Sequence, residues 1–181
     1  FRSLPGGLSE LVRAVAAALP SGSIRLGSPV VRVRSGAAGF CVELGSGETL
    51  SAPALVLTTP AYVTAPLVRD LDEDLSRRCA EIEYASAATI ALAFTREQVG
   101  HPLNGSGFVV PRVEKTGILA ASWLSSKWPH RAPEGRVLMR AFVGDAREPK
   151  ALERTDPELV TLAMMALATL LRISVSPLFS R

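Results

Sequence analysis

The run from Ser86 to Phe94 limits most sharply what this chain can fold into. Ala87, Thr89, Ala91 and Ala93 alternate with Ala88, Ile90, Leu92 and Phe94. Such a long apolar run of β-type side chains predicts a strand. Three more strand-like runs follow, Phe108–Pro111, Gly117–Trp123 and Arg136–Val143, separated by Gly, Pro and Asn turns. Several strands joined by such turns predict an antiparallel sheet. Asp156-Pro157-Glu158 then opens a helix. Asp156 is read as the N-cap, with Pro157 at the first helical position, where its missing N–H costs nothing. That helix runs to about Leu171, with Leu159, Leu162, Ala163, Met165 and Ala166 giving an apolar face.

The first third reads differently. Gly6-Gly7 precedes a helix whose Leu8, Leu11, Val12 and Val15 share one face, and Pro20-Ser21-Gly22 ends it. Ile24-Arg25-Leu26 reads as a short strand. Pro29–Arg34 alternates Val31 and Val33 with Arg32 and Arg34, as a half-buried strand does. Phe40–Leu44, with Val42 and Leu44 on one face, and Thr49–Ala52 continue a hairpin pattern. Ala54–Leu57 is continuously apolar, as expected of a buried parallel strand. Thr58-Thr59-Pro60-Ala61 leads into a helix, and Arg69–Ala80 is charged and helix-forming.

Composition excludes several functions. At 48% hydrophobic residues and a mean hydropathy of +0.25, the chain can build a sizeable core and is not disordered. Its net charge is only +3 and its arginines are scattered, so no nucleic-acid partner is expected despite a pI near 9.2. Cys41 and Cys79 form no metal motif and read as small hydrophobes of a reducing cytosol. No apolar run reaches the ~18 residues of a membrane span, and no secretory signal is read. His101 and His130 are too few for a metal centre and read as solvated loop residues. No catalytic nucleophile–base pair is visible. Gly6-Gly7 lacks the third glycine and the preceding strand of a dinucleotide fingerprint, and reads as a turn before a helix. The start at Phe1 and the trailing Ser174–Arg181 read as cuts through a larger protein or as an incomplete gene model.

Several segments, in this order and spacing, resemble the porphyrinogen oxidases of haem biosynthesis and, more loosely, the monoamine and polyamine oxidases. Phe1–Val12, with Leu4-Pro5-Gly6-Gly7-Leu8, is similar to a segment that leads back into the FAD domain of that superfamily. Pro29-Val30-Val31-Arg32-Val33 resembles the strand that follows it, and Leu55–Ala61 a strand-to-loop element near the flavin. Gly107–Pro111 and Ser125–Gly135, including Ser-Ser-Lys-Trp-Pro, resemble the porphyrinogen oxidase branch. So does Arg140–Gly144 followed by Asp145–Pro149, with Asp145 where the family pattern has glycine. The likeness fades after Leu171.

The resemblance implies an FAD-dependent oxidase that takes hydrogens from a porphyrinogen with molecular oxygen as acceptor. The flavin would do the redox work. The implied fold class is α/β plus α+β: a partial FAD-binding, Rossmann-like domain (1–68), a substrate domain with a mainly antiparallel sheet (69–155), and a helix with a truncated tail (156–181). Val30 would contact the FAD adenine through its backbone. Gly107, Val109 and Ala141 would line an apolar slot for the macrocycle, Gly107 by letting the ring approach the backbone. The alternative for all three is an ordinary place in the sheet. Trp123 and Trp128 read as core or interface aromatics. Lys127 and Arg131 read as solvated, with pairing to propionates as the alternative. The resemblance further leaves room for a cytoplasmic enzyme, peripheral membrane association of the full-length protein, and a homodimer. Other readings are another FAD-dependent amine or carotenoid-type oxidoreductase, or a non-catalytic domain for a hydrophobic ligand. The chain alone is expected to bind no FAD tightly and to be inactive.

Overall fold

Residues 12–84 form one compact unit, and residues 1–11 with 85–181 form another. The structure, a computed structural model, describes residues 2–144 and 149–181. Asp145–Glu148, where the family likeness places a turn, therefore lies outside the described residues.

The chain enters through a turn at Pro5-Gly6, where the Gly7 N–H donates to the Leu4 carbonyl at 2.9 Å. Helix α1 (Ser9–Ala18) follows. Its apolar stripe of Leu11, Val12 and Val15 is exposed, each residue by more than half. Strands β1 (Val30–Gly36), β2 (Gly39–Leu44) and β3 (Thr49–Ala52) make an antiparallel sheet in that order. Val33, Val42 and Leu44 are its buried residues. Val31, expected to be buried beside Val33, is 52% exposed. It is an extra residue: Val30 opposes Leu44 and Arg32 opposes Glu43, so Val31 sits in a bulge that breaks the alternation.

Two expected strands are absent. Ile24–Leu26 lies between two turns and pairs with no strand. Arg25 instead grips Glu48 through two hydrogen bonds of 2.9 and 2.6 Å. Ala54–Leu57 is likewise not a strand, and Val56 is 83% exposed. A parallel strand exists only through its neighbours, and none among the described residues pairs with it. Helices α2 (Ala61–Val68) and α3 (Glu73–Ala80) close this unit. Asp72 caps α3 by accepting from the Leu75 N–H at 2.9 Å. The buried Ser76 hydroxyl donates to the Ala65 carbonyl at 2.7 Å and ties α3 to α2. The expected boundary at 68/69 falls between these two joined helices.

The second unit is built on five antiparallel strands: β4 (Ala88–Thr95), β5 (Gly107–Val109), β6 (Ala120–Trp123), β7 (Arg136–Val143) and β8 (Phe179–Ser180). Their spatial order is β5-β6-β7-β4-β8. The predicted Ser86–Phe94 strand is β4, which pairs along its whole length with β7, from Ala88 opposite Val143 to Thr95 opposite Arg136. The short helix α4 (Leu124–Lys127) links β6 to the loop before β7. Helix α5 (Asp156–Leu171) completes the unit.

One face of the sheet is buried in the same cluster as α5. Leu92, Phe94, Met139, Val143 and Leu167 have no solvent exposure. Burying each such side chain contributes roughly 1.5–3 kcal/mol. The helix cap differs from the expectation. Thr155, not Asp156, is the N-cap, and the Glu158 carboxylate accepts from both its N–H (2.7 Å) and its hydroxyl (2.8 Å). This is a reciprocal cap of the S/T-x-x-E type, and it competes successfully with Asp156. Met165 is 68% exposed, while Leu167 and Leu171 take the core positions. Leu159, Ala163 and Ala166 are buried as the apolar pattern suggested, and Met165 alone among the expected residues points outward. The expected boundary at 155/156 cuts α5 from the sheet it buries.

Candidate functional site

The second face of the five-stranded sheet is the candidate site. Register fixes which residues share it. Val109 opposes Ala120, Ala120 opposes Phe142, and Phe142 opposes Thr89. One step along, Gly107, Ser122, Arg140 and Ala91 form the next row. Side chains alternate across a strand. Since Ala121, Ala141 and Ile90 are buried in the core, these two rows point the other way.

Among the four positions singled out from the sequence, Gly107 and Val109 lie on this open face. Val109 is 80% exposed on the edge strand β5. Gly107 has φ +144°, and an added Cβ would come within 2.2 Å of the Ala121 carbonyl oxygen. The glycine is therefore required first by the neighbouring strand, not by an approaching ring. Ala141 is placed differently. It has no solvent exposure and packs in the core, so its side chain supports the sheet and does not line the open face.

Val30 belongs to the other unit. It begins β1, which is an edge strand, and it precedes the Val31 bulge. An edge strand leaves a row of backbone N–H and C=O groups without a ladder partner. A purine edge needs such groups, so β1 fits a backbone contact to an adenine.

Sequence reasoning did not identify Arg140, Ser122 and Phe142 as a group. The Arg140 guanidinium carbon sits 4.8 Å from the centroid of the Phe142 ring. Arg140 Nε and Ser122 Oγ are both buried and, among the described residues, without a hydrogen-bond partner. A buried donor left unmade costs about 1–3 kcal/mol, so two in one row of a sheet are unusual and point to a missing acceptor. The one available signal was parity: Leu138, Arg140 and Phe142 occupy alternate positions of β7. Which face they share, and that Ser122 joins them, depends on strand pairing.

Other candidates hold structural posts. Arg131 donates to the Ser3 hydroxyl (2.8 Å) and the Leu4 carbonyl (3.2 Å), and so is not simply solvated. The Lys127 ammonium lies 5.4 Å from the Trp128 ring centroid. His101 is half-buried; its Nδ1 accepts from the Leu103 N–H at 3.0 Å and its ring packs near Trp123. Trp123 is a core residue. Cys41 and Cys79 are free thiols. Among the described residues no group of side chains is arranged to hold a metal, and no helix is long and apolar enough to cross a membrane.

The family model described as flavin containing amine oxidoreductase matches residues 2–179. The coproporphyrinogen III oxidase of Bacillus subtilis is 29% identical over 98% of this chain and 37% of its own length. Protoporphyrinogen oxidase 1 of the Arabidopsis thaliana chloroplast is 27% identical over 85% of this chain and 30% of its own. A crystal structure from Exiguobacterium sp. 255-15, provisionally assigned as a protoporphyrinogen oxidase, superposes with a TM-score of 0.83 at 26% identity. It covers 99% of this chain, which spans 38% of it. The chain thus spans about a third of the length of the proteins it resembles.

Proposed function

The chain belongs to the flavin containing amine oxidoreductases, and on that footing we propose that it forms part of an FAD-dependent oxidase that converts a porphyrinogen to a porphyrin, with molecular oxygen as the final acceptor. The observation that carries this reading is the open face of the sheet. It is mostly small and apolar (Gly107, Val109, Ala120, Ala91) and holds two guanidiniums, Arg140 within the rows and Arg136 at the start of β7. A porphyrinogen is broad, flat and apolar, with carboxylates at its rim, and such a ligand needs an apolar surface with few, well-placed polar groups. The relatives named for coproporphyrinogen and protoporphyrinogen support the same substrate class.

The 12–84 unit takes the flavin side and the unit around the five-stranded sheet takes the substrate side. Flavin, when bound, supplies the redox chemistry. The chain's own residues bind and orient. Val30 offers backbone groups to the adenine at the edge of β1. Val109 meets the macrocycle face, beside the flat stretch of backbone at Gly107. Neither residue moves a proton, and no acid or base is required of this face, which carries no carboxylate or histidine on β4–β8.

The test is turnover by a full-length protein that carries this chain. Supplied with FAD and oxygen, it should convert coproporphyrinogen or protoporphyrinogen to the fluorescent porphyrin. Dark reactions with both would remove the reading. The chain by itself should purify without bound flavin, since it holds no dinucleotide fingerprint; a yellow preparation would contradict that.

A further inference from the structure

We propose that Arg140, helped by Ser122, is the carboxylate anchor of the open face and sets the preference for acidic over neutral macrocycles. This inference rests on the porphyrinogen reading and deepens it. Four observations lead to it. Arg140 and Ser122 are directly paired residues of β7 and β6. Both carry a buried polar atom with no partner among the described residues, Nε of the one and Oγ of the other. No Asp or Glu occurs on any strand of this sheet, so the sheet itself offers the guanidinium no carboxylate. The Phe142 ring lies 4.8 Å from the guanidinium carbon, within cation–π range.

A guanidinium presents two parallel N–H groups, a geometry that matches a carboxylate and not a lone point acceptor. Ser122 can add an O–H donor to the same oxygen. The neighbours in the two rows, Gly107, Ala120 and Ala91, carry small side chains or none. A rigid, flat ligand with a short carboxylate arm fits: the ring lies over the small residues and the arm reaches Arg140. An uncharged macrocycle of the same width would cover the face and leave both donors unmet.

The experiment uses the full-length flavoprotein and compares a tetracarboxylate porphyrinogen, a dicarboxylate one, and a carboxylate-free alkyl porphyrinogen. The expected result for Arg140→Met is a fall of about tenfold or more in the ratio of kcat/KM for the acidic substrates over the neutral one. The loss should appear mainly in KM. Arg140→Lys keeps the charge but not the fork, and should recover part of the ratio. Ser122→Ala should lower it by a smaller factor in the same direction, which keeps the test open if the methionine variant fails to fold. Flavin absorbance and a melting curve report folding for each variant. A ratio unchanged by all three substitutions overturns the anchor alone. Failure of the unmodified protein on every porphyrinogen overturns the reading beneath it and the anchor together.

Discussion

The two units differ in how much of their apolar surface they cover themselves. The unit around the five-stranded sheet has a core of fully buried side chains from β4, β7 and α5, including Phe94, Met139 and Leu167. The 12–84 unit has a thin core of Val33, Val42, Leu44 and the α2 residues Leu67 and Val68. It leaves Val31, Val56, Tyr62 and Ile82 more than half exposed. The first unit has what a stable fold needs on one side of its sheet and leaves the other side partly exposed. The second has strands and helices in place but little to hold them. Secondary structure can therefore be well formed where tertiary burial is not, because turns, caps and short ladders act locally while a core does not.

Truncation of a core residue in one unit and of a partly exposed apolar residue in the other should show the difference most strongly. Phe94→Ala is expected to cost about 3–5 kcal/mol, since it empties a fully enclosed site. Leu50→Ala on β3, where the side chain is already 38% exposed, should cost under ~1 kcal/mol. Denaturant unfolding of both variants measures the gap, and equal costs would break the comparison. Next in size is Gly107→Val. The Cβ clash with the Ala121 carbonyl and the positive φ predict a loss of about 2 kcal/mol or more, read in the same assay. Hydrogen exchange should sharpen the contrast further. Amides of β4 and β7 are expected to exchange only through the largest openings, and those of β1–β3 through smaller ones.

The smallest effect concerns pH. The guanidinium of Arg78, and then that of Arg77, holds Asp74 on α3 below the ordinary carboxylate range. The N–H of Thr155, and then its hydroxyl, does the same for Glu158 on α5. A carboxyl depressed in the folded state contributes stability above its unfolded pKa and loses it as pH falls through the folded value. Acidification below the usual carboxylate range should therefore loosen the first turns of both helices. Both groups are exposed, so the change should be slight and weaker in high salt. Amide chemical shifts of residues 73–76 and 156–159, followed from neutral to acid pH, check it.

The contrast between the units also marks where sequence reading succeeded. Elements stabilised by their own pattern were legible. Arg136–Val143 and Thr49–Ala52 are strands with the bounds expected. The helix after Thr155 ends at Leu171 as its pattern implies. Elements that depend on distant partners were not. Ala54–Leu57 has the composition of a buried strand and is not one, because composition cannot supply a neighbour. Val31 has the right alternation, but a single inserted residue turns it outward.

The candidate site divides along the same line. By itself the sequence determined the runs that carry Gly107, Val109, Ala141 and Val30, and the family likeness those runs express. Only the tertiary structure decided that Gly107 and Val109 face away from the core while Ala141 faces into it. It alone brought Ser122 opposite Arg140, with Phe142 beside the guanidinium. The physical reason is the two-residue period of a strand: sequence gives the parity within each strand, but which parity of one strand meets which of the next is set by register, and register is a property of the assembled sheet.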